Sequence, residues 1–254
     1  MLLVVDIGNT HVVMALHDGK TWVADWRIYS DQKKTSDEYF VVVDRMVNHE
    51  GFSPTDVDRA IICSVVPNLT RSFQKVVRTL SGIEPLMVSH DTAPGIKRET
   101  IPGELGYDLL ANAVAVRHLY PKDNCVVLDF GTALTFTTVT KEGDLLGAAI
   151  APGLITAVNS LFHNTAQIPQ VMLKVPKHAI GRDSDESIRS GIMFGYVGLV
   201  KELIERIEAE VGAAVRVVAT GGLSQTIAPL IARIDQVVPQ LTLEGLRLIA
   251  DHLK

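Results

Sequence analysis

The chain has 254 residues, 47% of them hydrophobic, and a formal net charge of -5 at pH 7. That length suits two domains of ordinary size, each with a core of its own. The acidic balance and the lack of a Lys/Arg cluster exclude a general nucleic-acid binder, and no window approaches the roughly 20 apolar residues of a membrane helix.

Leu2 to Asp6 is a continuous apolar run ending in a carboxylate, the pattern of a strand buried on both faces. It has no basic, signal-like character, so a cytoplasmic protein is expected. Gly8-Asn9-Thr10 turns the chain into a second strand from His11 to Leu16. Asp18-Gly19 marks a further tight turn, and Trp22 to Ile28 alternates as a third strand. These three strands are expected as an antiparallel meander at one sheet edge. Ser36-Asp37-Glu38 has helix-start character, with acids suited to a positive N-terminus. That helix runs through Tyr39 to Val47 and stops at Gly51. Arg59 to Ser64 is a strand, Leu69 to Leu80 a helix and Pro85 to Val88 a short strand. Thr92 to Gly106, rich in Gly, Pro and charge, reads as a loop, and Tyr107 to Leu119 as a strong helix.

The second half runs through the same order. Cys125 to Asp129 is a strand, Gly131-Thr132-Ala133 a turn, Thr135 to Thr140 a second strand and Leu145 to Ile150 a third. Pro152-Gly153 precedes a helix through Leu161, Ser187 to Glu210 is a long helix, and Arg216 to Ala219 is a strand ending in Thr220-Gly221-Gly222. Leu243 to Leu253 closes the chain as a helix. The repeat implies a duplicated, two-lobed α/β architecture, with lobes at 1–118 and 119–254 and a cleft faced by both acidic turns. The final helix is allowed to pack back on the first lobe. Cys63 and Cys125 both lie in apolar runs and are expected as buried thiols.

Neither a P-loop nor a dinucleotide Gly-x-Gly-x-x-Gly occurs, so phosphate has to be held by other means. The turn Asp6-Ile7-Gly8-Asn9-Thr10 offers one: Gly8 admits close backbone approach, turn amides point at an anion, and Thr10 adds a hydroxyl. Asp6 repels phosphate directly, so its natural partner is a hydrated Mg²⁺ that bridges to it. A lone turn of this kind is commonly no more than a turn. Here Asp129-Phe130-Gly131-Thr132 repeats it about half a chain length later.

Thr35-Ser36-Asp37-Glu38-Tyr39, Ser64-Val65-Val66-Pro67, Gly106-Tyr107-Asp108, Ala151-Pro152-Gly153-Leu154, Thr220-Gly221-Gly222-Leu223 and Leu241-Thr242-Leu243-Glu244-Gly245-Leu246 join the two acidic turns along the chain. Together they resemble the type III pantothenate kinases, of the sugar-kinase, heat-shock ATPase and actin superfamily. The resemblance implies two similar actin-like (ribonuclease H-like) lobes with ATP between them. It implies ATP-dependent phosphorylation of pantothenate, the first step of coenzyme A synthesis, and a homodimer. The hairpin Asp6, Ile7, Gly8, Asn9, Thr10, His11, Val12 and Val13 resembles the first phosphate loop, and Gly131-Thr132 the second. Gly221 and Gly222 would leave room for the adenosine. Asp129 would help bind a monovalent cation, potassium or ammonium, and Asp6 a Mg²⁺ through water.

On the same footing Asp108 would be the general base, because a carboxylate in reach can accept the proton of an attacking hydroxyl. Without the resemblance, an acid in the first turn of a helix is adequately explained by the helix dipole. Gly106, Tyr107, Asp108, Leu109 and Ser184 would contact the substrate. Several positions depart from the family pattern: the loop before Gly106 lacks an aromatic residue, Leu134 replaces a Thr, Asp183-Ser184 an Asn-Thr, Leu109 an Arg and Thr137 an Asp. They keep two other readings open: a nucleotide-binding regulatory relative with weak or lost turnover, and a kinase of the same fold for another small hydroxylated substrate.

Overall fold

The computed structural model describes residues 1–163 and 171–253. Two compact units are formed, Met1–Ala115 with Leu241–Lys254, and Val116–Gln240. In the first, β1 (Leu2–Ile7), β2 (His11–His17) and β3 (Trp22–Tyr29) form the expected meander. Strand β4 (Arg59–Ser64) runs parallel to β1, and β5 (Leu86–Met87) parallel to β4, giving the order β3-β2-β1-β4-β5.

One face of this sheet, carrying Leu3, Val5, Ile7, Val12, Met14 and Ile62, is buried against α1 (Ser36–His49) and α2 (Pro67–Ser81). Helix α2 contributes Leu69, Phe73, Val76, Val77 and Leu80, one apolar stripe at helical spacing. A capping box starts α1: the Glu38 amide donates to Thr35 Oγ1 at 3.3 Å and the Thr35 amide to Glu38 Oε2 at 2.7 Å. On the opposite face, α7 (Leu241–His252) packs on β1 and β4. Gly245 lets α7 lie against α3 (Tyr107–Leu119), because a Cβ there would collide with the carbonyl of Ala111.

The second unit repeats the plan. Strands β6 (Cys125–Phe130), β7 (Ala133–Val139) and β8 (Leu145–Pro152) form the meander. Parallel β9 (Arg216–Thr220) and β10 (Gln236–Val237) complete the order β8-β7-β6-β9-β10. Helix α4 (Leu154–His163) follows β8, and α5 (Ser184–Val211) and α6 (Ser224–Ile227) complete the unit. The core joins Leu128, Phe130, Leu134, Phe136 and Val217 to Met193, Tyr196, Val200 and Ile204 of α5.

Helix α5 begins before the expected Ser187, because Asp183 is itself the cap and takes the Glu186 amide at 2.8 Å. The loop after Thr92 includes a short 3-10 turn, Arg98–Thr100, and another, His90–Thr92, leads into it. Both cysteines are buried and unbridged. No helix among the described residues is long and apolar enough to cross a membrane.

Candidate active site

Both acidic turns are built by the same device, in which the carbonyls are tied down by the protein. In the first, the Gly8 amide donates to the His11 carbonyl at 3.0 Å, and Asn9 and Thr10 span the gap. Ser30, just past β3, donates from its hydroxyl to the Gly8 carbonyl at 2.6 Å and from its amide to the Thr10 carbonyl at 2.9 Å. In the second, the Gly131 amide donates to the Ala133 carbonyl at 3.1 Å and Thr132 alone spans the gap. Gly153, just past β8, donates to the Thr132 carbonyl at 2.9 Å, joined by Thr156 Oγ1 at 2.7 Å. Engaged carbonyls are turned away from the tip, which lowers the local negative potential an anion would meet.

Ser30 and Gly153 therefore hold equivalent places in the repeat. Neither was singled out as a buttress from the sequence, although superposing the two strand-turn-strand-turn-strand patterns aligns them. Gly153 is tightly enclosed: a Cβ there would lie 2.5 Å from the Thr132 carbonyl oxygen and closer still to that of Gly131. The predicted side chains divide sharply. Ile7 and Val12 are fully buried in the core, so only their backbone can face a ligand, whereas Asn9 is exposed. His11 is half-buried with its ring 5.1 Å from that of Tyr29, and burial, with help from Arg27, lowers its pKa.

The first unit also brings Asp6 and Asp108 to one place. Cys63 pairs with Asp6 across the parallel β1–β4 register and is fully buried. Its thiol is pushed well above the ordinary range by burial, then by the charges of Asp6 and Asp108 and by hydrogen bonding to Asp6. One thiol thus senses both carboxylates, a contact between segments distant in sequence and invisible to motif reading.

Asp108 sits in the first turn of α3 and its Oδ1 accepts the Leu109 amide at 2.9 Å. Gly106 leaves room for it, since a Cβ there would strike Asp108 Oδ1 and turn the carboxylate aside. Burial raises the Asp108 pKa, partly offset by the amides of Leu109 and Asp108. The result is a carboxylate more basic than usual. Leu109 is only 7% exposed, and Tyr107 meets the His90 ring at 5.4 Å.

In the second unit Asp129 pairs with Thr220 across β6 and β9, at the end of the strand where Gly221 begins the next turn. Gly221 has φ +88°, and a Cβ would lie 2.5 Å from Asp129 Oδ1 and 2.7 Å from the Phe130 backbone. Glycine alone meets both demands. Gly222 and Ser184 are exposed, Ser184 being the first residue of α5. Among the described residues no group of three or more His, Cys, Asp or Glu is placed to cage a metal ion.

The sequence profile of the type III pantothenate kinases matches residues 2–206. The chain belongs to the type III pantothenate kinase family. A type III pantothenate kinase of Dehalococcoides mccartyi (strain CBDB1) is 41% identical over 249 residues, covering 98% of this chain and 94% of that one. A type III pantothenate kinase of Moorella thermoacetica is 39% identical over 257 residues, covering 99% of both. Among solved structures, the activator of the 2-hydroxyisocaproyl-CoA dehydratase from Clostridium difficile, with bound ADPNP, superposes with a TM-score of 0.58 at 16% identity. It covers 98% of this chain and 93% of that one. That likeness gives the fold of this pantothenate kinase family member: mixed α/β, actin-like, with two five-stranded sheets.

Proposed function

We propose that the protein transfers the γ-phosphoryl group of ATP to the primary hydroxyl of pantothenate, giving 4′-phosphopantothenate and ADP. The observation that carries the reading is Asp108, a half-buried carboxylate of raised basicity at the head of α3 that, like Asp6, lies within electrostatic reach of Cys63. As the substrate oxygen attacks the γ-phosphorus, its proton passes to Asp108 and the bond to the ADP oxygen breaks.

The two buttressed turns support phosphate binding through their amides, at Gly8 to Thr10 and at Gly131-Thr132. Gly221 and Gly222 are assigned to the adenosine, where a missing side chain leaves the backbone approachable. One carboxylate at each turn is too few for a protein cage, but suits a hydrated Mg²⁺ at Asp6 that takes its other ligands from water and phosphate. Mg²⁺ there would neutralise phosphate charge, and Asp129 is assigned the monovalent cation. Gly106, Tyr107, Leu109 and Ser184 are assigned to pantothenate, Leu109 as an apolar wall.

A homodimer is supported by the edge strand β8, whose outward residues are Leu146 (53% exposed), Ala148 and Ile150 (70%), with Ile155 of α4 nearby in sequence at 46%. An uncovered apolar edge is an aggregation hazard unless a partner occupies it. A cytoplasmic location follows from the substrate, since ATP and coenzyme A synthesis reside there.

The test is ATP consumption by the purified protein with potassium and Mg²⁺, on pantothenate and on a panel of polyols and sugars. Turnover on pantothenate alone is expected. ATP binding without turnover on any of them would make the protein a regulatory nucleotide binder, and turnover on another compound would reassign the substrate.

A further inference from the structure

A cavity of about 510 Å³ lies at the far end of the first unit, lined by His17, Gly19, Lys20, Thr21, Trp22, Glu244 and Arg247. It sits between the β2–β3 turn and α7. Strand β2 runs from the first acidic turn to His17 over 7 residues, which separates the two by roughly 20 Å at about 3.3 Å per residue. The cavity is therefore remote from the first acidic turn, and its size falls in the range of small-molecule sites.

Its polar groups are unequal in what they leave open. The Gly19 amide donates to His17 Nδ1 at 3.0 Å, which fixes the neutral tautomer and leaves the proton on Nε2. His17 is only 8% exposed, its ring packs edge-on against Trp22 at 4.9 Å, and Nε2 has no hydrogen-bond partner among the described residues. Lys20 makes no ion pair or side-chain hydrogen bond there either.

Most of the acceptors, in contrast, are engaged. Both oxygens of Glu244 are taken by Arg247 Nε at 3.0 Å and Nη2 at 2.5 Å, while Nη1 goes to Asp251 at 2.8 Å. Asp18, next to the lining and exposed, accepts the Lys20 and Thr21 amides on its Oδ1 alone, at 2.7 and 2.8 Å. Since a guanidinium has five N–H donors, Arg247 retains two beyond its carboxylate partners. The lining thus offers an imidazole N–H, an ammonium and spare guanidinium donors beside the Arg247-paired Glu244 carboxylate, with a flat indole alongside.

We propose that this cavity is a binding site for a small organic anion, its carboxylate or phosphate group held by His17 Nε2–H, Lys20 and Arg247 and its apolar body against Trp22. Charge-assisted donors bind oxyanions strongly, and a half-buried indole covers a flat apolar group. The proposal is independent of the kinase reading, because it concerns binding at other residues.

The chain has two tryptophans, Trp22 and Trp26, so ¹⁵N-labelled indole signals give a local report free of optical interference. A Trp26→Phe variant assigns them. Titration with benzoate and with phenyl phosphate, at ionic strength matched with sodium chloride, is expected to move the Trp22 signal saturably with at least one. The arm that saturates identifies carboxylate or phosphate as the preferred head group. Lys20→Gln, at an exposed turn, is expected to weaken binding about tenfold, and His17→Gln to a similar degree. No saturable shift with either probe, or unchanged affinity in Lys20→Gln, would overturn the proposal.

Discussion

The two halves of the molecule share a strand order and a turn device, yet differ in how each is finished. In the first, the edge strand β3 turns Asp25, Arg27 and Tyr29 outward; in the second, the equivalent β8 turns Leu146, Ala148 and Ile150 outward. The first pattern protects an edge with charge, whereas the second leaves it apolar. The buttresses differ as well. Ser30 supports its turn with a side chain, and Gly153 does so only because it has none. The duplicated frame thus differs between its copies: one carries Asp108, the proposed base, and the other the apolar strand face proposed to meet a second subunit.

The greatest effect is expected where the second copy has no slack. Gly153→Ala places a Cβ against two turn carbonyls that belong to backbone, and should cost about 3 kcal/mol, at the upper end of overpacking. Denaturant unfolding would measure it, together with weaker ATP binding. An alanine tolerated without loss would show that the second turn is not held as described.

The edge comparison gives the next effect. Ile150→Lys should shift the protein from dimer to monomer in sedimentation velocity, while Tyr29→Lys on β3 should leave the assembly unchanged. If both or neither act, the two edges are not specialised. On the first turn, Ser30→Ala removes one side-chain hydrogen bond to the Gly8 carbonyl and should cost about 1 kcal/mol. That is well below the Gly153 penalty, and comparing the two unfolding curves tests the asymmetry.

The smallest effect concerns pH. Burial raises the Asp108 pKa, so the contribution of this group to stability is fully present below the ordinary carboxylate pKa and is lost as pH rises through its folded value. At neutral pH the buried charge opposes folding. Asp108→Asn should therefore melt at or above the wild-type temperature at pH 7, with the difference shrinking toward pH 4. A variant that is less stable at pH 7 would mean that the charge is compensated in the fold.

Much of this was legible in the sequence because it is local. Leu2 to Val5 and Val126 to Leu128 announce buried strands by continuous apolar runs, and their carboxylates and glycines mark the turns. The α1 cap is written in Thr35 and Glu38 at the proper spacing. Contacts that depend on tertiary folding were not legible. Cys63 reaches Asp6 through strand pairing and Asp108 through the placing of α3, and no spacing rule connects them. The start of α5 lies ahead of Ser187 because the Asp183 side chain caps it from outside the apolar repeat, where periodicity gives no signal. Likewise the His17 cavity joins a hairpin near the N-terminus to the final helix.

The division of labour between binding turns and a buried base is tested most directly by ADP formation from the Asp108→Asn protein, with ATP affinity measured on the same sample. Turnover should fall about 10²-fold or more while ATP binding and the fold persist. Wild-type turnover by the variant would contradict the assignment of Asp108 as the base.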